Sequence, residues 1–455
     1  MYGRIKKIHF VGIGGIGMSG IAEVLINMGY TVTGSDLDRS KTVERLERLG
    51  AKVFIGHSTE NVGNSDVVVM SSAVREDNPE VIAAIYRKIP VIRRAEMLAE
   101  LMRLKYGIAV AGSHGKTTTT SMISAVLSFG GLDPTIVVGG RVKTLDTNAH
   151  LGKGSFMVVE ADESDGSFLM LSPVITVVTN IDQEHLDHYE NMANLEKAFS
   201  DFLNKVPFYG LAVVCLDCPR VRSLVSGLQK RFITYGFNPE AELRAEDVRV
   251  SEFKTDFKAL LRGSYIGDAK LNVFGKHNAE NALASFAVGM ELGMSFEQIR
   301  DGLAEFRGIE RRLQLKGESK GVIVYDDYGH HPVEIRATLR ALKESFGRRL
   351  IVIFQPHRYT RTHLLFNDFV PAFSDADLLF VLDIYSAGEN AIAGLTSEKL
   401  VQAIKDAGRN SVSYIEEPNE VIRRVLETIK PGDIVLTLGA GNVWKLGEKI
   451  AEEIS

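Results

Sequence analysis

Residues 112–118 have the types and spacing of a phosphate-binding loop: they follow an apolar run and precede a helix-like one. In such a loop, backbone N–H groups and a helix N-terminus surround nucleotide phosphates, the Lys reaches the outer phosphates, and the Thr hydroxyl binds Mg²⁺. The loop is shortened, because the position of the usual first Gly is Val110, so an ordinary turn is the alternative. The predicted phosphate-binding residues here are Gly112, Ser113, His114, Gly115, Lys116, Thr117 and Thr118.

Acidic and histidine side chains follow two further apolar runs. Glu160 ends the run 156–159, and a carboxylate at a strand end beside a phosphate loop is placed to hold Mg²⁺, directly or through water. His185 lies in the polar stretch 179–188, where a metal ligand and a surface hydrogen-bonding residue are both open interpretations. A solvated loop is the more typical interpretation for the acids after Glu160, which are Asp162, Glu163 and Asp165.

A glycine turn near the N-terminus fits the G-x-G-x-x-G pattern, with Gly12, Gly14, Gly15 and Gly17 after a short apolar run. Asp36 follows at the spacing expected of a ribose-binding acid, which by spacing alone indicates NAD. The same turn allows the backbone to approach any diphosphate, including that of a UDP-sugar. The motif alone leaves NAD, another diphosphate and a simple packing turn open.

Two later stretches carry further binding chemistry. Asn278 and Asn281 are three apart at the start of a predicted helix, so Asn281 can read an adenine edge while helix capping explains Asn278 equally well. Arg358 and Arg361 follow a predicted strand, where open α/β sheets bind ligands. Paired arginines suit a carboxylate or a phosphate, and surface arginines are the alternative.

Short β-rich runs alternate with longer amphipathic runs almost throughout, which predicts α/β domains with largely parallel sheets. Three blocks emerge: a Rossmann-like N-terminal domain over 1–104, a central P-loop ATPase-type domain over 105–312, and a Rossmann-like C-terminal domain over 313–455. The hinges are expected near 103–105 and 307–310.

The composition excludes several classes of protein. The 455 residues carry a net charge of −5 without a basic block, so no nucleic-acid partner is expected. The apolar runs are strand-length, so no membrane insertion is expected, and the cytoplasm is the predicted location. Cys215 and Cys218 are spaced as a redox pair or half a zinc site, but without further ligands nearby we interpret them as incidental thiols.

Taken in order along the whole chain, these motifs resemble the ATP-dependent Mur ligases of peptidoglycan synthesis. The resemblance rests on the glycine turn from His9 to Ser19, the shortened phosphate loop, Glu160-Ala161-Asp162-Glu163, the 179–188 stretch and His277-Asn278-x-x-Asn281. It also rests on Asp326-Asp327-Tyr328-Gly329-His330-His331-Pro332 and Phe354-Gln355-Pro356-His357-Arg358. It implies a ligase that uses ATP and Mg²⁺, with UDP-N-acetylmuramate and L-alanine as substrates, and it sets NAD aside.

The resemblance also implies roles for individual residues. The UDP-substrate would lie on Gly12, Gly14, Gly15, Gly17, Ser71 and Ser72, and the alanine and acyl-phosphate end on Tyr328, His330, Arg358 and Arg361. ATP would contact the phosphate loop with Asn281, Arg312 (or its neighbour Arg311) and Asp327, and Mg²⁺ would lie beside Thr117, Glu160 and His185. The expected catalytic residues are Lys116, Glu160, His185, His330 and Arg358.

Three rival functions stay open beside this expectation: a recycling ligase that adds a preformed peptide, an NAD-dependent oxidoreductase, and a noncatalytic nucleotide-binding switch. The oxidoreductase leaves the Lys116 loop unexplained, and the switch predicts ATP binding without turnover. The expected state is a monomer or a weak homodimer.

Overall fold

The computed structural model describes residues 4–142, 147–251 and 253–455, and this part of the chain contains three sheets with helices packed around them. The chain divides into two compact units. The first consists of Met1–Val248, Asp256–Leu271 and Asn278–Arg307, and the second of Arg249–Thr255, Asn272–His277 and Gly308–Ser455. The first unit carries two of the three sheets, so the predicted three-domain α/β architecture is confirmed.

The N-terminal sheet is fully parallel, with strand order β3-β2-β1-β4-β5. Its strands are β1 (Lys7–Val11), β2 (Thr31–Asp36), β3 (Lys52–Ile55), β4 (Val67–Met70) and β5 (Val91–Arg93). Its helices are α1 (Ile16–Asn27), α2 (Lys41–Arg48), α3 (Pro79–Tyr86) and α4 (Arg94–Met102). This is the strand order of a Rossmann half, in which ligands bind beyond the carboxyl ends of the strands.

The central sheet has ten strands in the order β15-β14-β13-β12-β11-β10-β6-β9-β7-β8. Its strands are β6 (Tyr106–Ala111), β7 (Thr135–Val142), β8 (Thr147–His150), β9 (Phe156–Glu160), β10 (Ile175–Val178), β11 (Leu211–Cys215), β12 (Phe232–Gly236), β13 (Leu243–Ser251), β14 (Lys254–Leu261) and β15 (Ser264–Leu271). The helices of this region are α5 (Lys116–Phe129), α6 (Leu186–Tyr189), α7 (Met192–Leu203), α8 (Pro219–Leu224), α9 (Lys276–Glu291) and α10 (Phe296–Glu305).

The C-terminal sheet has the order β16-β17-β21-β18-β19-β20, in which the edge pair β16–β17 is antiparallel and the other pairs are parallel. Its strands are β16 (Gln314–Ser319), β17 (Val322–Asp327), β18 (Leu350–Phe354), β19 (Leu378–Val381), β20 (Val412–Tyr414) and β21 (Ile434–Leu438). Its helices are α11 (Pro332–Phe346), α12 (Tyr359–Leu364), α13 (Phe366–Ala372), α14 (Ser397–Asp406), α15 (Pro418–Thr428) and α16 (Trp444–Ile454).

Alternating residues of β17 explain why the C-terminal sheet is covered on both faces. Ile323 and Tyr325 belong to one buried apolar cluster, whereas Val322 and Val324 belong to another. Successive side chains of a strand point to opposite faces, so a continuous apolar run requires a layer of helices on each side. Among the described residues, no helix is both long and apolar enough to cross a bilayer.

Candidate active site

The phosphate loop lies where three neighbouring parallel strands end. β6 leads into the loop between β9, which ends at Glu160, and β10, which leads into the 179–185 stretch. The register places Val110 opposite Glu160 and Ala111 opposite Val178. Sheet order therefore brings together three segments that are separate in the sequence, at the edge where open α/β sheets bind ligands.

Two glycines give the loop its shape. Gly112 has φ +138° and Gly115 has φ +80°, a backbone region that favours glycine. A Cβ on Gly115 would lie 2.8 Å from the Oδ1 of Asn281, and one on Gly112 would overlap the Thr179 hydroxyl. The predicted strand, turn and helix are all present, since β6 ends at Ala111 and α5 begins at Lys116.

The stretch after β10 holds the loop in place. Asn180 accepts from the backbone N–H of Ser113 at 3.0 Å through its carbonyl and from that of His114 at 2.7 Å through its side chain. The hydroxyl of Thr179 donates to the His114 carbonyl at 2.7 Å, and the backbone N–H of Asp182 donates to the Ser113 hydroxyl at 2.8 Å. The polar residues of this stretch therefore preorganise the loop.

Lys116 forms a buried ion pair that sequence analysis did not predict. Its Nζ lies 2.7 Å from the Oε1 of Glu163, and the two side chains are 16% and 2% exposed. The ammonium also donates to the carbonyls of Gly112 and Ser113. The sequence interpretation of Glu163 as part of a solvated loop was wrong: β9 delivers this carboxylate into the interior beside the phosphate loop.

The electrostatics of this pair follow from burial and neighbouring charge. Burial raises the pKa of Glu163 to about 7, against the opposing charge of Lys116, and the Asp162 carboxylate raises it further. Burial works to lower the pKa of Lys116, but the carboxylates of Glu163 and Glu160 outweigh it and raise that pKa. Lys116 is therefore a cation at every pH at which the protein would work.

Thr117 and Glu160, two of the three predicted Mg²⁺ residues, lie together. The Thr117 hydroxyl donates to the Oε1 of Glu160 at 3.1 Å, and the backbone N–H of Gly139 donates to its Oε2 at 2.7 Å. A Cβ on Gly139 would lie 2.7 Å from that same oxygen. The carboxylate is thus held at a defined position next to the first turn of α5.

His185, the third predicted residue, lies beside a different pair of acids. Its Nε2 is 3.8 Å from Glu163 and 4.0 Å from Glu184. One potential ligand atom from each of these three residues lies within 4.8 Å of the others. The Oε2 of Glu163 is buried and has no hydrogen-bond partner among the described residues. The structure therefore adds Glu163 and Glu184 to the candidate metal-binding residues.

Asn281 packs against the phosphate loop from the start of α9. It is 8% exposed, and its Oδ1 accepts from the Thr119 hydroxyl at 3.1 Å. Together with the close approach to Gly115, this contact places Asn281 beside the loop, as expected of an ATP-binding residue. Its contact with ATP stays a prediction.

The glycine turn after β1 is held by β2. The backbone N–H groups of Gly12 and Ile13 both donate to the Ser35 carbonyl at 2.9 Å, and that of Gly14 donates to the Oδ2 of Asp36 at 2.7 Å. The other carboxylate oxygen of Asp36 accepts from the backbone N–H of Leu37. Asp36 thus supports the turn itself, which accounts for the spacing without a ribose.

A cavity of about 330 Å³ opens in front of this turn. The helices and turns around the N-terminal sheet line it with Gly15, Ile16, Gly17, Met18, Ser71, Ser72, Arg94 and Leu98. The strands β7 and β9 of the central sheet, with the turn after β9, line it with Val137, Val138, Gly139, Glu160 and Asp162. Four of the predicted diphosphate residues, Gly15, Gly17, Ser71 and Ser72, therefore face the same cavity as Glu160, whereas Gly12 and Gly14 are not among its lining residues. Arg94 crosses it to donate to Asp162 at 2.9 Å.

In the second compact unit, Asp327 supports the turn after β17, and Arg312 forms an ion pair nearby. Asp327 is 4% exposed, and its two oxygens accept from the backbone N–H groups of Leu313 and Gly329, each at 2.8 Å. Burial raises its pKa to about 6, against the charge of Arg312. Arg312 forms an ion pair with Glu334 at 3.3 Å. Their predicted contacts with ATP stay predictions.

Arg311, the alternative to Arg312, is engaged within the unit. Its Nε lies 3.1 Å from the Oδ2 of Asp326, and its Nη2 donates to the carbonyl of Gly439 at 2.6 Å. Both guanidinium groups also lie within 5.4 Å of the Tyr328 ring. The contacts of Arg311 tie the start of the unit to β21.

His330 and Arg361 both contact His357, a residue to which sequence analysis gave no role, and Tyr328 contacts His330. The His330 ring is 5.4 Å from that of Tyr328 and 5.9 Å from that of His357, and Arg361 donates to the Nδ1 of His357 at 3.2 Å. Burial and the charges of Arg361 and Arg358 lower the pKa of His357 to about 4. A neutral imidazole thus lies among the predicted substrate residues.

Arg358 directly precedes α12 as its N-cap, with φ +69°, and its backbone N–H donates to the Tyr385 carbonyl at 2.8 Å. His357 could have been found from the sequence, because it precedes Arg358 in the same strand-end motif.

The parallel sheets, the phosphate loop and the glycine turn define an α/β protein with the fold elements of a nucleotide-binding enzyme. Family models match the chain in three consecutive parts: "Mur ligase family, catalytic domain" over residues 7–106, "Mur ligase middle domain" over 110–289, and "Mur ligase, glutamate ligase domain" over 311–441. The chain belongs to the Mur ligase family.

Individual relatives show which members of the family the chain is similar to. A UDP-N-acetylmuramate–L-alanine ligase of Geotalea uraniireducens is 58% identical over 454 residues, covering 100% of this chain and 99% of the relative. The crystal structure of a UDP-N-acetylmuramate–alanine ligase from Thermotoga maritima superposes with a TM-score of 0.84 at 30% identity, covering 98% of each chain. A murein peptide ligase from Psychrobacter arcticus, at 22% identity and a TM-score of 0.71, shares the fold over 99% of this chain and 98% of that one.

Proposed function

We propose that this protein joins L-alanine to the lactyl carboxylate of UDP-N-acetylmuramate, using ATP, in the synthesis of a peptidoglycan precursor. The observation that carries the proposal is the full-length, 58% identity to a ligase of that name. The site supports it, because one cavity is lined by the glycine turn on one side and by Glu160 on the other. A UDP-sugar bound at the turn would direct its acid group toward the phosphate loop.

The residues beside Lys116 fit a divalent cation. Hard oxygen donors suit Mg²⁺, and the buried Oε2 of Glu163, which has no hydrogen-bond partner in the described part of the chain, is an acceptor that a cation would satisfy. Thr117, Glu160 and Glu163 are proposed to hold it, with His185 and Glu184 close by. When bound, Mg²⁺ would neutralise charge on the β- and γ-phosphates of ATP.

The proposed reaction has two chemical steps. The lactyl carboxylate attacks the γ-phosphorus of ATP and displaces ADP, which forms an acyl phosphate. The deprotonated amine of L-alanine then attacks the acyl carbon, and the tetrahedral intermediate expels inorganic phosphate and leaves an amide. Lys116 offsets charge on the transferring phosphoryl group, because its ammonium is fixed and largely shielded from water.

The remaining assignments belong to the same proposal. Tyr328, His330, Arg358 and Arg361 are proposed to bind alanine and the acyl-phosphate end, with His330 either taking the amine proton or orienting the amine. Three domains with the boundaries 1–104, 105–312 and 313–455, a cytoplasmic location and a monomer or weak homodimer complete it.

The test measures phosphate release from ATP and Mg²⁺ with UDP-N-acetylmuramate in three parallel reactions: without an amino acid, with L-alanine, and with a preformed tripeptide. Mass spectrometry identifies the product, and the Lys116→Ala variant controls for contaminating ATPases. Release that requires L-alanine, with one amide formed per phosphate, supports the proposal.

Two other results would redirect the assignment. Release only with the tripeptide would make the protein a recycling ligase, for which the murein peptide ligase likeness shows the fold alone. Absence of release in all three reactions, with ATP still bound, would favour the nucleotide-binding switch.

A further inference from the structure

A buried asparagine on the central sheet forms hydrogen bonds to the first turn of α1. The Nδ2 of Asn148, on β8, donates to the Ile16 carbonyl at 2.6 Å and lies 3.4 Å from the Ser19 hydroxyl. Asn148 is 6% exposed and does not line the cavity. It therefore acts on the glycine turn through Ile16, a residue 132 positions away in the sequence.

The other end of this amide is held equally firmly. The Oδ1 of Asn148 accepts from Arg45 at 2.9 Å, and Arg45 forms an ion pair with Glu23 at 3.0 Å. Glu23 lies on α1 and Arg45 on α2, so the chain of contacts returns to the helix from which it started. The amide is thereby oriented with its donor toward Ile16.

Close backbone packing surrounds these contacts. A Cβ on Gly20, one turn after Ile16, would lie 3.3 Å from both the Cβ of Ala149 and the Nδ2 of Asn148. A small residue on α1 thus lets β8 approach the helix directly. A larger residue on either side would separate β8 from the helix.

We propose that Asn148 is a positioning residue that sets the distance between the glycine turn and the phosphate loop. The inference rests on the proposed function, in which a substrate anchored at the turn must present its carboxylate to ATP at the loop. Glu160 belongs to the same sheet as β8, so fixing α1 on β8 fixes the turn relative to Glu160 and Lys116. The contact between Arg94 and Asp162 provides a second link, at the cavity itself.

The proposed role of Asn148 is to align the reacting atoms, and not to increase the affinity for the substrate. Reacting atoms must be held about 3–3.5 Å apart, and a displacement of about 1 Å remote from the chemistry can lower the rate about 10²-fold. The turn keeps its own supports in Ser35 and Asp36, so loss of the Asn148 contact leaves diphosphate binding in place. Loss of the Asn148 contact should therefore lower the rate of phosphoryl transfer more than it lowers the affinity for the UDP-substrate.

The experiment compares Asn148→Asp and Asn148→Ala with wild type. Aspartate has the size of asparagine but turns the donor toward Ile16 into an acceptor. His150→Asn is the matched control, because His150 lies on the same strand with its side chain 44% exposed and its Nε2 3.4 Å from the surface residue Asp133. We measure kcat, KM for UDP-N-acetylmuramate, Kd for UDP and for ATP by calorimetry, and the melting temperature.

The expected result is a fall in kcat of about 10- to 100-fold in both variants, with Kd for UDP and ATP within about threefold of wild type and no change in the control. An unchanged kcat would overturn the proposal. A fall in kcat accompanied by weaker binding of both UDP and ATP and by a lower melting temperature would also overturn it, because that combination would show that Asn148 only stabilises the fold.

A separate readout distinguishes failure of this inference from failure of the proposed function. Hydrogen exchange of the α1 amides should rise in Asn148→Asp while that of α5 stays as in wild type, with or without turnover. If wild type formed no product, the proposed ligase function would fail. An unchanged α1 exchange rate in Asn148→Asp would reject the proposed role of Asn148, whether or not the wild type formed product.

Discussion

Replacing Glu280 by Gln should stabilise the protein at alkaline pH. Glu280 lies near the start of α9, and its Oε1 accepts from the buried Cys215 thiol at 2.7 Å. Burial raises the pKa of this carboxyl from 4.5 to about 7, the thiol hydrogen bond works against that rise, and the nearby Asp217 adds to it. A glutamine keeps an oxygen to accept from Cys215 and carries no charge.

The size of the expected change in stability follows from the linkage between proton binding and folding. A carboxyl whose pKa is higher in the folded protein favours folding when protonated, and this contribution is lost as the pH rises from about 4.5 to about 7. The difference between those two values corresponds to about 3 kcal/mol. Glu280 keeps some contact with solvent, so we expect about 1–3 kcal/mol, which shifts the melting temperature of a domain of about 200 residues by about 2–12 °C.

The assay is thermal unfolding of wild type and Glu280→Gln from pH 4.5 to 8.5 without ligands. Glu163 and Asp327, whose pKa values are raised to about 7 and about 6, titrate in the same window, so only the difference between the two proteins isolates Glu280. That difference should grow up to about pH 7 and then level off. The control is Glu291→Gln at the end of the same helix, where a surface ion pair with Arg231 contributes little. A glutamine variant no more stable than wild type at pH 8 would refute the reasoning.

Three further predictions concern ligand binding and turnover. Lys116→Ala should lower kcat by at least about 10²-fold while UDP-N-acetylmuramate still binds by calorimetry; retained turnover would remove the loop from the mechanism. Gly115→Ala should weaken ATP binding about tenfold, because φ +80° costs a non-glycine residue about 1–2 kcal/mol and the new Cβ meets Asn281; unchanged ATP affinity would show that the loop adjusts freely. Asp36→Ala removes the acceptor for the Gly14 N–H and should raise Kd for UDP-N-acetylmuramate about 3- to 10-fold with ATP affinity unaltered; a parallel loss of both would indicate a general folding defect.

Local patterns in the sequence were sufficient wherever a feature depends on neighbouring residues. The strand, glycine turn and helix at Gly112–Thr118 and at Gly12–Gly17 appear as predicted, because turn conformation and hydrophobic periodicity are short-range properties. The alternation of elements likewise predicted α/β domains, and the order of motifs predicted the family. Helix ends are less predictable, since they depend on caps outside the apolar pattern, as at α2, where the Ser40 hydroxyl accepts from the backbone N–H of Val43.

The tertiary structure decided which distant residues meet. The ion pair of Lys116 with Glu163 depends on the strand order β10-β6-β9-β7-β8, which no local pattern encodes. The hydrogen bond from Asn148 to Ile16 depends in addition on the packing of α1 against β8. Burial decided the charge chemistry in the same way, because Glu163, Glu280 and His357 look like ordinary polar residues in the sequence. Desolvation in the folded protein, together with neighbouring charges, raises the pKa values of the two glutamates and lowers that of His357. The sequence thus determined the turns and elements that carry the chemistry, whereas sheet order and burial determined the partners and protonation of the side chains.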